Sequence, residues 1–419
     1  MRLFISAGEP SGDLHGSNLI RELQRLDQNS QFSGLGSRKM SEAGCELLKD
    51  MDDLAIMGFA RVVPHLKQFW DLLWQADHHF QETRPEAVIL IDYPGFNWWI
   101  ARRAKKHNIP VFYYGTPQIW GWATHRVKKL RRLVDHALCK LPFEPDWYRE
   151  HGCTATYVGH PYFDEFVNRE IDESFVGSLG GGKFVTILPG SRKHEVEKNL
   201  PAFLKTANFV HQTVPDTKFA IASYNESQAE LARSLLAQHP SQANVEVFVD
   251  RTRELIHRAD CCLACSGSVS LELLHEQKPT VIHYKLNHFQ DFLQSRCRKC
   301  KFITLVNLLK SERRFELDDD YDPDDIRNLE EAPFPEYFGV EDRCAEMAHH
   351  IIRWVTDEAS RKQVIDSLQP LRENFVKPGA SKLAAAYILD RLGHRTANPV
   401  ADGAETVQAL MNTSDGKAA

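Results

Sequence analysis

Short apolar runs alternate with helix-period segments along most of this chain, and that rhythm admits few folds. The runs cover residues 3–7, 87–91, 111–114 and 156–158 in the first half. In the second half they cover 184–188, 217–221, 245–249, 261–264 and 280–283. Most are rich in Val, Ile, Phe or Tyr and are too short for helices. Segments such as 66–80 and 198–213 lie between them with helical spacing of apolar residues. This pattern predicts parallel sheets covered by helices on both faces. At 419 residues the chain exceeds one ordinary core, so two domains are expected. Residues 171–183, with Gly180-Gly181-Gly182, read as the linker. The expected organisation is α/β: Rossmann-like halves over 1–170 and 184–375, a closing helix over 376–394 and a disordered tail over 395–419.

Charge narrows the function. A formal net charge of -6 offers no global basic excess to neutralise phosphates, which argues against nucleic acid as partner. No stretch approaches the ~20 apolar residues that cross a bilayer. The apolar start, Leu3 to Ala7, breaks at Gly8-Glu9-Pro10 and reads as a first strand, not a signal peptide. A cytoplasmic protein with reduced thiols is therefore expected, and its nine cysteines fit no disulfide framework. Cys262/Cys265 and Cys297/Cys300 could suggest zinc. The first pair lies in an apolar run, where Cys acts as a small hydrophobe, and no metal is expected. The acidic insert at 311–332 could imitate an Asp-x-Asp metal–nucleotide site. Its dense charge favours a solvated loop.

Four strand-to-helix junctions carry candidate chemistry. In Ser6-Ala-Gly-Glu-Pro-Ser-Gly-Asp13, Gly8 and Gly12 permit close approach of a ligand. Ser11 or Asp13 could cap the next helix, whose N-terminus favours an anion. A tight turn is the plain alternative. Asp92 ends the run Val88-Ile-Leu-Ile and precedes Tyr93-Pro-Gly-Phe-Asn97. A carboxylate there could act as a general base or merely cap the Pro94-Gly95 turn. In Leu188-Pro-Gly-Ser191-Arg192, Ser191 is expected to open a helix with Arg192 in its first turn. A cation there opposes the helix dipole unless it grips an anion such as pyrophosphate. In Cys265-Ser266-Gly267-Ser268, backbone amides could cradle a phosphate, and Glu272 could hold ribose hydroxyls or be a surface residue. Aromatics at Phe69, Trp70, Trp74, Trp98, Trp99, Trp120 and Trp122 adjoin Arg102, Arg103, Lys105, Lys106, Lys128, Lys129, Arg131 and Arg132. They could meet acyl chains and an anionic membrane, or form ordinary core.

As an ordered set these motifs resemble the lipid-A-disaccharide synthase family. The set runs from Ser6–Asp13 through Gly34-Leu-Gly-Ser-Arg-Lys-Met40, Met57-Gly58, Ile91–Asn97, Pro117-Gln-Ile-Trp-Gly-Trp122 with Arg126, and Pro142-Phe-Glu144. It continues with Val158-Gly-His-Pro161, Leu188–Arg192 with Glu195, Ser266–Ser268 with Leu271-Glu272, Asn307-Leu-Leu309 and Pro335-Glu336. Three departures stand out: Ser268 replaces the usual Thr, the acidic insert lengthens the path to Pro335, and Gly339 replaces a glutamine.

The resemblance implies a GT-B fold, two Rossmann-like domains with parallel sheets facing across a cleft. The first half would take the acceptor and the second the UDP-sugar. It implies inverting transfer from UDP-2,3-diacylglucosamine to 2,3-diacylglucosamine 1-phosphate, forming a β-1,6 bond, without a cofactor. Catalytic roles fall to Asp92 and Arg192. Substrate contacts fall to Gly8, Ser11, Gly12, Asn97, Ser191, Ser266, Gly267, Ser268, Glu272 and Asn307. The protein would be peripheral on the inner face of the cytoplasmic membrane, with a homo-oligomer left open. The alternatives are another GT-B enzyme such as UDP-N-acetylglucosamine 2-epimerase, or a non-catalytic nucleotide or lipid-phosphate binder.

Overall fold

The computed structural model describes residues 1–51, 62–166, 170–317 and 321–394. Met57-Gly58 and the expected tail lie outside the described residues. Two compact units form. The first comprises Met1–Val167 and the chain from Lys377; the second is Asn168–Val376.

The first unit holds a seven-stranded parallel sheet: β1 (Arg2–Ala7), β2 (Gln31–Gly36), β3 (Cys45–Asp50), β4 (Ala87–Ile91), β5 (Val111–Tyr114), β6 (His136–Cys139) and β7 (Ala155–Tyr157). Their spatial order is β3-β2-β1-β4-β5-β6-β7. Strand alternation divides its core. Phe4, Val88, Leu90, Val111 and Tyr113 face one layer, with Leu72, Phe80, Ile100 and Leu130 from covering helices. Leu3, Ile5, Ile89, Ile91, Phe112 and Tyr114 face the other, against Leu19, Ile20 and Leu23 of the helix Pro10–Leu26. Burial on both faces is why these strands read as unbroken apolar runs.

The second unit holds a six-stranded parallel sheet: β8 (Phe184–Leu188), β9 (Lys218–Ser223), β10 (Asn244–Val249), β11 (Cys261–Cys265), β12 (Thr280–Lys285) and β13 (Glu336–Gly339). Its order is β10-β9-β8-β11-β12-β13.

Three features differ from the sequence expectation. The strands β2, β3, β6 and β13 were not anticipated. β2 is broken by Gly34 and Gly36, β3 and β13 are edge strands, and β6 has four residues. The Gly-rich stretch falls inside the second unit, where Asp172 caps the helix Glu173–Ser178. The closing helix, Ala380–Arg391, packs into the first unit's core through Ala384, Ala385 and Ile388. Its N-terminus is held there by Asp164, which accepts from the amides of Gly379, Ala380 and Ser381 at 2.6, 3.0 and 2.9 Å. In the acidic insert Asp322 and Asp324 are exposed, in keeping with the expected solvated loop. Asp324 accepts from the Tyr337 hydroxyl at 2.6 Å and pairs with Arg343 at 3.0 Å, which ties this segment to β13.

Candidate active site

In the first sheet the chain winds one way from β1 to β2 and the other way from β4 to β5. Loops leaving β1 and β4 therefore diverge, and the crevice at such a switch point is where open α/β sheets bind ligands. Gly8 follows β1, with Gly12 in the first turn of the helix Pro10–Leu26, and Asp92 follows β4. The second sheet has the same geometry between β8 and β11, which Arg192 and Ser266–Ser268 follow. All four sequence motifs thus stand at two switch points.

Asp92 and Tyr93 both adopt left-handed backbone, each with φ 43°. Such a conformation costs a non-glycine residue roughly 1–3 kcal/mol and persists only where the surroundings impose it. Here the Asp92 carbonyl accepts from Asn97 Nδ2 at 2.8 Å and from the Tyr113 hydroxyl at 2.6 Å. The Tyr93 ring then lies over Gly8, where a Cβ would sit 2.2 Å from Cδ1, so only glycine fits.

The Asp92 carboxylate does not cap the turn, because the helix Pro94–Lys106 has no side-chain cap. It reaches over the end of β5 instead. There Oδ1 lies 3.3 Å from Lys140 Nζ, and 3.7 Å from where a Cβ on Gly115 would sit, an ordinary van der Waals contact. Burial works against the Lys140 charge, but Asp92 and Glu144 outweigh it and hold the ammonium above the usual lysine range. The Asp92 side chain stays 29% exposed, so it can still meet a ligand.

Lys140 is the functional candidate that sequence reasoning missed. It lies in Cys139-Lys140-Leu141, where a lysine closing an apolar run looks like any surface lysine. Beneath it, Glu144 is fully buried and accepts from Trp120 Nε1 at 2.9 Å and from the Lys140 and Leu141 amides at 3.0 Å. The Trp120 and Glu144 motifs therefore shape the site from below. His15 is also buried near Asp92; desolvation lowers its pKa, opposed by the Asp92 carboxylate, and its Nδ1 meets no protein partner.

Two of the expected residues in this unit serve the fold. Asn97, expected to contact substrate, has its polar atoms engaged by main chain and by Ser6. It is fully buried, accepts from the Ser6 hydroxyl at 2.7 Å, and donates to the carbonyls of Ser6, Ile91 and Asp92. Its amide is used up in tying β1, β4 and the following helix together. Asp13 does not cap its own helix, and neither does Ser11, which is exposed. Asp13 accepts from the amides of Ser37, Lys39 and Met40 at 2.6, 2.9 and 3.3 Å, anchoring the helix Arg38–Glu42. Gly12 is buried against Ala7 and Ile91.

In the second unit the helix begins at Lys193, so Arg192 is its N-cap and not part of its first turn. Gly190, with φ 124°, leaves space that a Cβ would take from Glu195, only 2.5 Å away. Glu195 folds back to accept from the Ser191 and Arg192 amides at 3.0 and 3.1 Å. The Arg192 guanidinium lies 3.5 Å from Glu195 and its side chain is 67% exposed. Ser191 is exposed, and its carbonyl accepts from Gln228. An exposed cation at a positive helix end is poised for an anion.

Ser266 donates its hydroxyl to the Ile303 carbonyl at 2.9 Å. Gly267 and Ser268 are exposed, and a Cβ on Gly267 would meet nothing within 4 Å. Among the described residues their amides meet no protein acceptor. Glu272 is buried, contrary to the surface reading, with Arg253 3.7 Å away. Asn307, expected to contact substrate, is likewise engaged by its own unit. It is fully buried, donates to Phe334 and Glu336 at 2.7 Å each, and accepts from the Phe334 amide.

Cys262 and Cys265 are three apart in β11, which turns them to opposite faces. Among the described residues no group of three His, Cys, Asp or Glu side chains is placed to hold a metal. The aromatic stretch splits between core and surface. Trp98 and Trp120 are buried, whereas Trp70, Trp74, Trp99 and Trp122 are exposed. Arg102 lies over Trp99, Arg103 over Trp74 and Arg126 over Trp122, at 4.7, 5.3 and 4.8 Å. No helix among the described residues is long and apolar enough to cross a membrane.

Residues 3–317 match the family model described as lipid-A-disaccharide synthetase. A lipid-A-disaccharide synthase from Geobacter sulfurreducens is 31% identical over 396 residues, covering 94% of this chain and 97% of that protein. Another, from Trichlorobacter lovleyi, is 36% identical over 315 residues, covering 74% and 82%. Among solved structures, a UDP-GlcNAc 2-epimerase from Neisseria meningitidis bound to UDP-GlcNAc aligns with TM-score 0.58 at 12% identity, covering 93% of this chain and all of that one. The calicheamicin glycosyltransferase aligns with TM-score 0.55 at 14% identity, covering 95% and 99%. At such identities the structural likeness shows the GT-B fold class alone.

Proposed function

The chain belongs to the lipid-A-disaccharide synthetase family, and from that premise we propose that it joins two acylated glucosamines. It is a glycosyltransferase; its donor is UDP-2,3-diacylglucosamine and its acceptor 2,3-diacylglucosamine 1-phosphate. Asp92 takes the proton from the acceptor's 6-hydroxyl as that oxygen bonds to the donor's anomeric carbon. The bond to the pyrophosphate breaks, UDP departs with its electrons, and the single displacement inverts the anomeric centre.

One observation carries the reading: Asp92 is fixed in strained backbone beside a switch point, with its carboxylate still accessible. The Lys140 contact occupies Oδ1 and leaves Oδ2 for the hydroxyl. Charge growing on the leaving pyrophosphate falls to Arg192 and to the Gly267 and Ser268 amides. Gly8 shapes the loop beside the reacting sugar, Gly12 lets the following helix pack close beneath it, and Glu272 holds the ribose. Docking of the first unit on the anionic surface that carries the lipid substrates is supported by the exposed Trp70, Trp74, Trp99 and Trp122, each but Trp70 with an arginine over its ring.

The test is to incubate the purified protein with both acylated sugars and detect disaccharide phosphate by mass spectrometry. Asp92→Asn should abolish nearly all turnover, and near-normal turnover would remove Asp92 as the base. Activity should persist in chelator, and strict magnesium dependence would refute the proposed charge stabilisation. Conversion of soluble UDP-N-acetylglucosamine in place of the acylated pair would point to an epimerase.

A further inference from the structure

The helix His288–Cys297 of the second unit is built inside out. None of its residues is buried. Phe289, Phe292 and Leu293 are 74, 55 and 50% exposed. With Arg296 they follow i, i+3, i+4, i+7 spacing, a single stripe on one helix face. The polar side chains turn toward the protein instead. Gln290, Asp291 and Gln294 are half-buried, and Gln290 accepts from Lys198 Nζ at 2.9 Å. A helix that rests on its polar face and shows its apolar face to solvent is missing its partner.

We propose that this face is a second membrane-docking surface, fitted to an anionic lipid bilayer. Charge identifies the occupant. Arg296 and Lys299, both exposed, border the apolar stripe, and the Arg296 guanidinium lies 4.0 Å from the Phe292 ring centroid. Asp291, the acidic residue of the helix, faces inward among the residues lining a 380 Å³ cavity with Arg298, Lys301 and Arg343. Apolar side chains entering the acyl boundary with cations at headgroup level is the arrangement of an interfacial helix. Size argues against a second copy of the chain. Ten residues make a helix about 15 Å long, too little for the roughly 800 Å² per partner that a stable dimer buries. The surface extends the proposed lipid chemistry to the second unit. Its test does not depend on turnover, so failure of the proposed reaction and failure of this surface are told apart.

Nature supplies the probe. Cys297, on this helix, is exposed, while the other eight cysteines are buried. The full chain labelled there with an environment-sensitive fluorophore should shift to the blue with vesicles of equal parts phosphatidylcholine and phosphatidylglycerol. Pure phosphatidylcholine should give little shift. Replacing Phe289, Phe292 and Leu293 together by Ser should weaken binding to the anionic vesicles at least about tenfold. Arg296→Gln with Lys299→Gln should erase the preference for anionic lipid. Because these side chains are exposed, thermal unfolding should be unchanged; the single Leu293→Ser, expected to weaken binding in the same direction, repeats the measurement with the least disturbance. An unshifted probe, or wild-type vesicle binding by the triple-Ser variant, would overturn the proposal. So would a dimer, seen by sedimentation velocity, that the triple-Ser variant dissociates.

Discussion

Replacing Asn97 by Ala separates a contact residue from a positioning residue. The side chain takes part in hydrogen bonds with the Ser6 hydroxyl and with the carbonyls of Ser6, Ile91 and Asp92, and it is fully buried. At a net worth of about 0.5–1.5 kcal/mol per bond, four bonds amount to roughly 2–6 kcal/mol. The Asp92 carbonyl keeps the Tyr113 hydroxyl, so the lower half of that range, about 3 kcal/mol, is expected. For a unit of this size that corresponds to a fall in Tm of roughly 6–12 °C. Function should follow a particular pattern. Asp92 loses one of the two bonds that impose its left-handed backbone, so its carboxylate drifts from the productive position. A misplacement of about 1 Å can cost on the order of 10²-fold in rate. Turnover at saturating substrate should therefore collapse while KM for both sugars changes little. Steady-state kinetics with calorimetric unfolding decides the matter. Raised KM, unaltered kcat and unaltered Tm together would show that Asn97 touches substrate and that its burial argument is wrong.

Arg192→Ala should lower kcat by about 10²-fold, or about 3 kcal/mol, with unchanged Tm, because the exposed guanidinium holds no part of the fold together; a stability loss without a rate loss would reverse that assignment. Asp13→Ala strands the amides of Ser37, Lys39 and Met40 and should cost about 2–3 kcal/mol in urea unfolding, more than an ordinary cap. A loss of less than about 0.5 kcal/mol would show that Asp13 does not anchor that helix. Glu336 adds a pH dependence: burial raises its carboxyl from 4.5 to about 7, against the bonds it accepts from Ile303, Thr304 and Asn307. Between those values the folded chain binds the extra proton, so stability is full below pH 4.5 and is lost as pH rises toward 7. At about 1.4 kcal/mol per unit the loss is roughly 3 kcal/mol. Glu336→Gln should flatten that slope, and an unchanged slope in urea midpoints measured across this window would refute it.

The sheets were legible where strands are buried on both faces. β1, β4, β8 and β11 show unbroken apolar runs because neither side meets water. β3 was not legible, because an edge strand with the burial pattern of Cys45–Asp50 carries Glu46, Lys49 and Asp50 outward. The return of Ala380–Arg391 to the first unit left no local trace either. Its capping residue, Asp164, is more than two hundred positions away, and only the fold brings it to Gly379.

The site was legible in its positions but not in its division of labour. Asp92 and Asn97 come from one motif, as do Gly8 and Asp13, and spacing gives every member equal claim to a ligand. Burial separates them. Asn97, Asn307 and Asp13 have spent their polar atoms on main-chain groups, and a satisfied buried amide gains nothing by turning to a substrate. Asp92, Arg192 and the Gly267 amide keep accessible capacity at the ends of strands that flank a switch point. Lys140 belongs with this second group only through the fold. Asp92 follows β4 and Lys140 follows β6, with β5 between them, so no local pattern shows that the carboxylate and the ammonium meet. Lys140→Met would remove the ammonium and leave the Asp92 backbone bonds in place. If the ion pair positions Asp92, kcat should fall further than the change in stability accounts for, while KM for both sugars changes little. Wild-type kcat in the Lys140→Met protein would show that the pair contributes nothing.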